Sequence, residues 1–71
     1  MNSVQSGFEY AEITARKAAQ AGDIHGMGRR LSAAHALAVW ADTLLLDRYQ
    51  ALEVECWKEY EAWQTTNRKS A

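Results

Sequence analysis

Few side chains in this chain can do chemistry, and their spacing does not form a catalytic or metal site. His25 and His35 are ten residues apart, about 15 Å along one helix, which is too far for both to bind one metal ion. The single cysteine, Cys56, lies between Leu52 and Tyr60 in an apolar stripe and has acidic neighbours, which raise a thiol pKa and keep the thiol unreactive. No glycine-rich phosphate loop leads into a lysine. We therefore expect a protein that is not an enzyme and uses neither a metal nor a cofactor.

Tryptophan and tyrosine are dense in the second half of the chain, at Trp40, Tyr49, Trp57, Tyr60 and Trp63. These residue types are enriched at protein interfaces, where they bury a large area for little loss of side-chain entropy. The same segment is acidic, which favours a basic surface on the partner. We predict that a partner protein binds the following five residues: Trp40, Asp47, Glu53, Trp57 and Glu61.

Basic residues cluster instead around residues 16–30, at Arg16, Lys17, Arg29 and Arg30. These four are the candidate phosphate contacts of a nucleic-acid-binding protein. The net charge is −1, however, and the acids of the second half would repel a duplex. Gly26 and Gly28 also stand where a recognition helix would need hydroxyl and amide side chains. Nucleic acid is therefore the less favoured partner, and a membrane surface is excluded because the polar face of the helix is acidic.

The elements that position the aromatic and charged residues follow from one apolar stripe. Its members recur every three or four residues from Ile24 to Trp63. The chain contains no proline, so nothing forces a helix along this stripe to end. The spacing predicts a long helix 2 of about forty residues, about 60 Å in length. A second apolar ridge on the same helix includes Leu37, Trp40 and Leu44.

A shorter helix 1 is predicted from Gly7 to Ala21, with Ser6 and Glu9 as a capping box. Gly22 is suited to end it in the left-handed conformation, and Asp23 to cap helix 2, so that the two helices form an antiparallel hairpin. Residues 1–71 are predicted to be a single all-helical domain, with disordered tails at 1–5 and 66–71.

The two predicted helices differ in length, and this difference predicts self-association. Helix 1 leaves the apolar side of helix 2 beyond residue 45 uncovered, and soluble monomers seldom expose such a patch. We expect a homodimer that forms a helical bundle through Leu45, Tyr49, Leu52, Cys56, Tyr60 and Trp63. The basic and acidic ends of the rod favour an antiparallel pair. The alternative is a monomeric three-helix bundle with a break near Asp47.

The function expected from these features is a small protein-interaction module of the cytoplasm. The first residues lack the basic and apolar regions of a signal peptide, and no apolar run is long enough to span a membrane. Such a module would regulate or inhibit a larger partner by docking an aromatic and acidic helix face on it. A concrete form is a phage- or mobile-element-type inhibitor of a nucleic-acid-handling machine. The alternatives are a dimeric nucleic-acid-binding protein that uses the basic turn, and a purely structural, self-assembling bundle.

Overall fold

Three α-helices make up the structure, a computed structural model that describes residues 3–69. Helix α1 spans Ser3–Gln20, α2 spans Ile24–Trp40 and α3 spans Leu46–Lys69, and a 3₁₀ turn at Thr43–Leu45 precedes α3. No strand occurs among the described residues, so the predicted all-α class is confirmed.

The turn between α1 and α2 is the one that the sequence predicts. Gly22 has a φ of 75°, the left-handed conformation that glycine adopts without a Cβ penalty. The N–H of Asp23 donates to the carbonyl of Ala18 at 2.8 Å, and the N–H of Gly22 donates to the carbonyl of Ala19 at 3.1 Å, the pattern of a Schellman cap. The Asp23 carboxylate accepts the N–H of Gly26 at 2.9 Å and caps α2. The predicted roles of Gly22 and Asp23 are therefore confirmed.

The predicted long second helix is wrong, because the chain breaks between α2 and α3. Asp42 is extended, with φ −156° and ψ 93°, and its carboxylate accepts the N–H of Leu44 at 3.1 Å. A short carboxylate competes in this way with helical hydrogen bonds, so a helix can end here without glycine or proline. The chain has three helices, as the alternative predicts, and the break is at Asp42 and not at Asp47, which lies in the first turn of α3.

Both outer ends of the bundle are more helical than predicted. Helix α1 begins three residues before Ser6, so Ser6 lies inside the helix and does not cap it. At the other end, the amide of Asn67 donates to the carbonyl of Trp63 at 2.8 Å, which satisfies an acceptor in the last turns of α3. The predicted disordered tails are wrong for residues 3–5 and 66–69, which are helical. Residues 1, 2, 70 and 71 lie outside the described part of the chain.

All three helices and the 3₁₀ turn contribute to one core. Its buried members are Phe8, Ala11, Ala15, Ala19, Met27, Leu31, Ala34, Ala38, Leu45, Leu52 and Cys56. Alanine supplies five of these positions, so the helices approach closely while each contact buries little area. The larger side chains Phe8, Met27 and Leu52 fill the remaining space and are fully buried.

Helix α3 runs antiparallel to α2 and parallel to α1. Two ion pairs between helices fix this direction, since Glu12 of α1 pairs with Arg48 and Arg16 pairs with Glu55. Arg16 comes after Glu12 on α1, and its partner Glu55 comes after Arg48 on α3, so α1 and α3 run in the same direction. Helix α3 has 24 residues and α1 has 18, so the last turns of α3 extend past the turn at Gly22. Among residues 3–69, no helix is both long and apolar enough to span a membrane.

Candidate protein-interaction surface

The outward side of α3 carries four of the five residues predicted to bind a partner. Asp47 and Glu61 are exposed two heptads apart, so they lie nearly in line along the helix. Val54, halfway between them, is 53% exposed, and the neighbouring Trp57 is 43% exposed. Glu53 is also exposed. We call these five residues the acidic face, and it places an apolar strip between carboxylates.

Glu53 is held in place by a hydrogen bond within α3. The hydroxyl of Tyr49 donates to Glu53 Oε2 at 2.8 Å, and the ring of Tyr49 lies 4.9 Å from the His35 ring, between centroids, at a tilt of 54°. Burial, and then the bond to the carboxylate, raise the pKa of Tyr49 to about 12. The phenol therefore keeps its proton, and its hydrogen bond to Glu53, to a higher pH than an ordinary tyrosine would.

Trp57 is similarly held by its neighbours on α3. Its ring makes an edge-on contact with Tyr60, with centroids 6.0 Å apart. Tyr60 stacks in turn on Trp63, with centroids 5.9 Å apart and planes 20° apart. Aromatic pairs in these geometries contribute about 0.5–1.5 kcal/mol each beyond their buried area. The exposed part of Trp57 is therefore presented on a fixed support, which lowers the entropy lost on binding.

Trp40, the fifth predicted residue, lies apart from the others at the connection between α2 and α3. It is 86% exposed, and Leu44 beyond the break is 87% exposed. We call Trp40 and Leu44 the apolar tip. The sequence predicts that Leu44 lies on an apolar ridge but does not assign it to a binding site. The signal that could have identified Leu44 is the run of leucines at Leu44–Leu46, because a tight turn cannot bury three successive leucines. Of the three, only Leu45 is buried, and Leu44 is left exposed.

The six residues predicted to join two copies of the chain are instead used within one copy. Leu45, Leu52 and Cys56 are buried in the core. Tyr49 and Tyr60 are partly buried against it, and Trp63 packs over Gly22, where a Cβ would overlap the indole ring. A dimer interface built on these residues would require the helices of each chain to separate first. Homodimerisation itself remains a prediction.

The four basic residues proposed as phosphate contacts do not form one surface. Arg29 and Arg30 line a groove of about 550 Å³ between α1 and α2, whose other walls are Thr14, Ala18, Asp23, Gly26 and Ala33. Lys17 is exposed. Arg16 is two residues from both Thr14 and Ala18 on α1 and so points away from this groove. Only Arg16 is thereby separated from the predicted cluster, since Lys17 is three residues after Thr14 and lies on the groove side of α1. The guanidinium of Arg30 lies 5.4 Å from the centroid of the Tyr10 ring.

Two arginines are occupied by ion pairs that join α1 to α3. Burial lowers the pKa of Arg16, but the hydrogen bond and the charge of Glu55 outweigh it, so the net shift is upward. Arg48 donates to both oxygens of Glu12, at 2.8 and 3.0 Å, and this bond raises its pKa. These four charges are therefore neutralised within the fold and contribute little to recognition of a partner.

Cys56 is fully buried, and burial raises the pKa of its thiol to about 11 from an ordinary 9.0. At about pH 8 the folded chain should hold about a hundredfold less thiolate than the unfolded chain. We expect iodoacetamide to modify the native protein at least that much more slowly than the protein in denaturant. Mass spectrometry reads the reaction directly, since the chain has one cysteine; equal rates in the two states would contradict this placement.

Two further kinds of information bear on this surface: the geometry of potential metal ligands and similarity to known proteins. Within residues 3–69, no three histidine, cysteine or acidic side chains are placed to hold a metal ion together. Comparison of the chain with protein-family models, with curated proteins and with solved structures finds no match. The geometry of the chain is therefore the basis for its proposed function.

Proposed function

We propose that this chain is a non-enzymatic protein-interaction module that binds a larger protein with a basic surface and thereby regulates or inhibits it. The apolar tip and the acidic face of α3 make the contact. A nucleic-acid-handling protein is the concrete partner class, because its substrate-binding surface is basic.

The observation that carries the proposal is the exposure of Trp40 and Leu44, at 86% and 87%. Neither side chain contributes to the core, so both leave apolar area in water that burial would stabilise by about 25 cal/mol per Å². Two large apolar side chains that are almost fully exposed and four residues apart in the sequence are candidates for a binding contact. Tryptophan is also the residue type most enriched among those that dominate binding energy.

The chemistry of the partner follows from the charges left over on α3. Glu55 and Arg48 are neutralised by α1. Asp47, Glu53 and Glu61 remain exposed on the acidic face. The exposed Lys58 beside Glu61 offsets one of these three charges. Such carboxylates steer a basic surface toward the apolar contact and repel acidic ones. A partner with a basic rim around an apolar pocket therefore fits this surface best.

Trp40→Ala is the variant that tests the tip. Because the side chain is 86% exposed, we expect no change in thermal stability but a loss of affinity of about 2 kcal/mol, roughly 30-fold. The tagged full chain is used to capture binding proteins from the host cell, and each purified candidate is then titrated by calorimetry. Ile13→Ala is the matched control, since Ile13 is an apolar side chain on α1 that is 54% exposed.

A partner supports the proposal when it binds the wild type and the Ile13→Ala chain equally, and binds Trp40→Ala and Trp57→Ala weakly. Its association rate should also fall with added salt and fall further in an Asp47→Asn/Glu61→Gln chain. A captured protein whose affinity is unchanged by the tryptophan variants contradicts the proposed surface.

A second copy of the chain is another occupant to be tested at the tip, although the sequence predicts self-association through other residues. Light scattering over a dilution series separates this outcome from the proposal. A mass of two chains that falls to one in Trp40→Ala would assign the tip to a homodimer and would remove the argument for a different partner protein.

Nucleic-acid binding is a second candidate, and the groove lined by Arg29 and Arg30 favours it. Asp23 in the same groove and the pairing of Arg16 with Glu55 weigh against it. A gel shift at two salt concentrations is the test. Salt-sensitive binding that is lost in Arg29→Ala/Arg30→Ala and retained in Trp40→Ala would replace the protein-binding proposal with this one.

A further inference from the structure

A hollow of about 370 Å³ lies where the end of α1 meets the last turns of α3. Its walls are Gln20, Glu59, Ala62, Trp63, Thr66 and Asn67. The space is several times the roughly 30 Å³ of a water molecule, so a side-chain head group fits. Neither the apolar tip nor the groove between α1 and α2 shares a residue with it.

Glu59 is the charged group in this wall, and its carboxylate is poorly satisfied. Oε1 accepts one long hydrogen bond, 3.4 Å from Nε2 of Gln20. Oε2 is closed off from solvent and has no hydrogen-bond donor among residues 3–69. An ionised carboxylate can accept about four hydrogen bonds, and leaving a buried oxygen unpaired is unfavourable. Because Oε1 accepts only this one long hydrogen bond from residues 3–69, it can accept a stronger one from a donor in the hollow.

Trp63 supplies an aromatic wall beside this carboxylate. The absence of a side chain at Gly22 admits its indole ring, and the stack with Tyr60 fixes the ring from the other direction. The part of the indole that lines the hollow therefore offers an apolar surface beside the Glu59 carboxylate, and this carboxylate suits cations that carry N–H donors. Arg68 lines a neighbouring hollow, together with Trp63, Gln64 and Asn67, and is not part of this wall.

We propose that this hollow receives the guanidinium group of an arginine side chain from the partner protein. A guanidinium is planar and weakly hydrated, so it tolerates apolar contact with the indole while its N–H groups donate to a carboxylate, whereas a lysine ammonium is compact and strongly hydrated. The inference rests on the proposed function and names one contact that a basic partner makes. It adds Glu59 and Trp63 to the interaction surface, at the end of α3 opposite to the apolar tip.

Acetyl-arginine N-methylamide and its citrulline counterpart are the probes that test the hollow without the partner. Citrulline has nearly the same shape as arginine but carries no charge. In an NMR titration of the full chain, the arginine compound should shift the indole N–H signal of Trp63 and the backbone signal of Glu59. The indole signal of Trp40, at the opposite end of the bundle, serves as the internal reference and should stay in place. The citrulline compound should bind at least about tenfold more weakly, since it lacks the charge-assisted bond.

Glu59→Gln should weaken binding of the arginine compound by about tenfold, whereas Glu9→Gln, the same change in charge at an exposed position on α1 outside the proposed interaction surface, should leave it unchanged. Circular dichroism is used to check that both variants remain helical. Equal shifts from arginine and citrulline, or unchanged binding in Glu59→Gln, would overturn the inference. A partner that loses affinity in Trp40→Ala but not in Glu59→Gln would overturn this contact alone and leave the proposed function standing.

Discussion

Replacing Leu52 with aspartate is expected to unfold the chain, not to separate two folded copies. Leu52 is 1% exposed and packs in the core formed by all three helices. Truncating a buried leucine costs about 2–5 kcal/mol, and an unpaired carboxylate at the same place adds several more. A domain of this size has a total stability of only about 4–11 kcal/mol. We therefore expect Leu52→Asp to abolish most of the helical circular dichroism signal at 25 °C or to lower the urea midpoint severely.

Val54→Asp is the matched control, because Val54 lies on the same helix and is 53% exposed. It introduces the same charge and should change stability by less than about 1 kcal/mol. The wild-type urea midpoint should not depend on protein concentration, since the core is completed within one chain. A Leu52→Asp chain that keeps its helicity while its mass falls from two chains to one would show instead that Leu52 lies between copies.

The periodicity of the sequence predicts which residues of α2 and α3 are buried but not how the segment is folded. Met27, Leu31 and Leu52 were placed on one stripe, and all three are in the core. A stripe that continues in phase through Asp42 is compatible with one long helix. It is equally compatible with two helices joined by a turn of fitting length, because both bring the same residues to an apolar surface.

The two turns differ in how far local chemistry reveals them. Gly22 and Asp23 have residue types that only a few backbone conformations favour, so the first turn can be predicted from the sequence. Asp42 lies between Ala41 and Thr43, and neither neighbour forces a helix to end. The second turn is set by the burial of Leu45 and the following apolar face of α3 against α1, which is a tertiary effect that no short window contains.

The features of the candidate site also divide into those that the sequence predicts and those that depend on how the helices pack. Exposure of Asp47, Glu53, Trp57 and Glu61 was predictable because they lie off the stripe. Neutralisation of Arg16 by Glu55 was not, since it depends on α3 folding back parallel to α1. The hollow beside Glu59 was missed for the same reason, because its two walls come from helices that the sequence alone does not bring together.

Gly22→Ala is the second change with a large expected effect, and it destabilises the fold in two ways. A left-handed conformation costs an alanine about 1–2 kcal/mol. The new Cβ would also overlap the ring of Trp63, and such overpacking costs about 1–3 kcal/mol more. We expect the free energy of unfolding to fall by about 2–5 kcal/mol, measured as a lower urea midpoint at an unchanged slope. Gly28→Ala is the matched control: a Cβ at Gly28 meets nothing within 4 Å, so removing a helical glycine should raise stability by about 0.5–1 kcal/mol.

A double-mutant cycle with Trp63→Ala separates the two contributions at Gly22. In the Trp63→Ala background the overlap with the indole is absent, so Gly22→Ala should cost only the backbone term of about 1–2 kcal/mol. The difference between the two backgrounds measures how closely the last turns of α3 press on the first turn of the bundle. Equal losses in both backgrounds would mean that Trp63 does not pack on Gly22. The aromatic wall of the hollow beside Glu59 would then lack the support that the cation-binding inference requires.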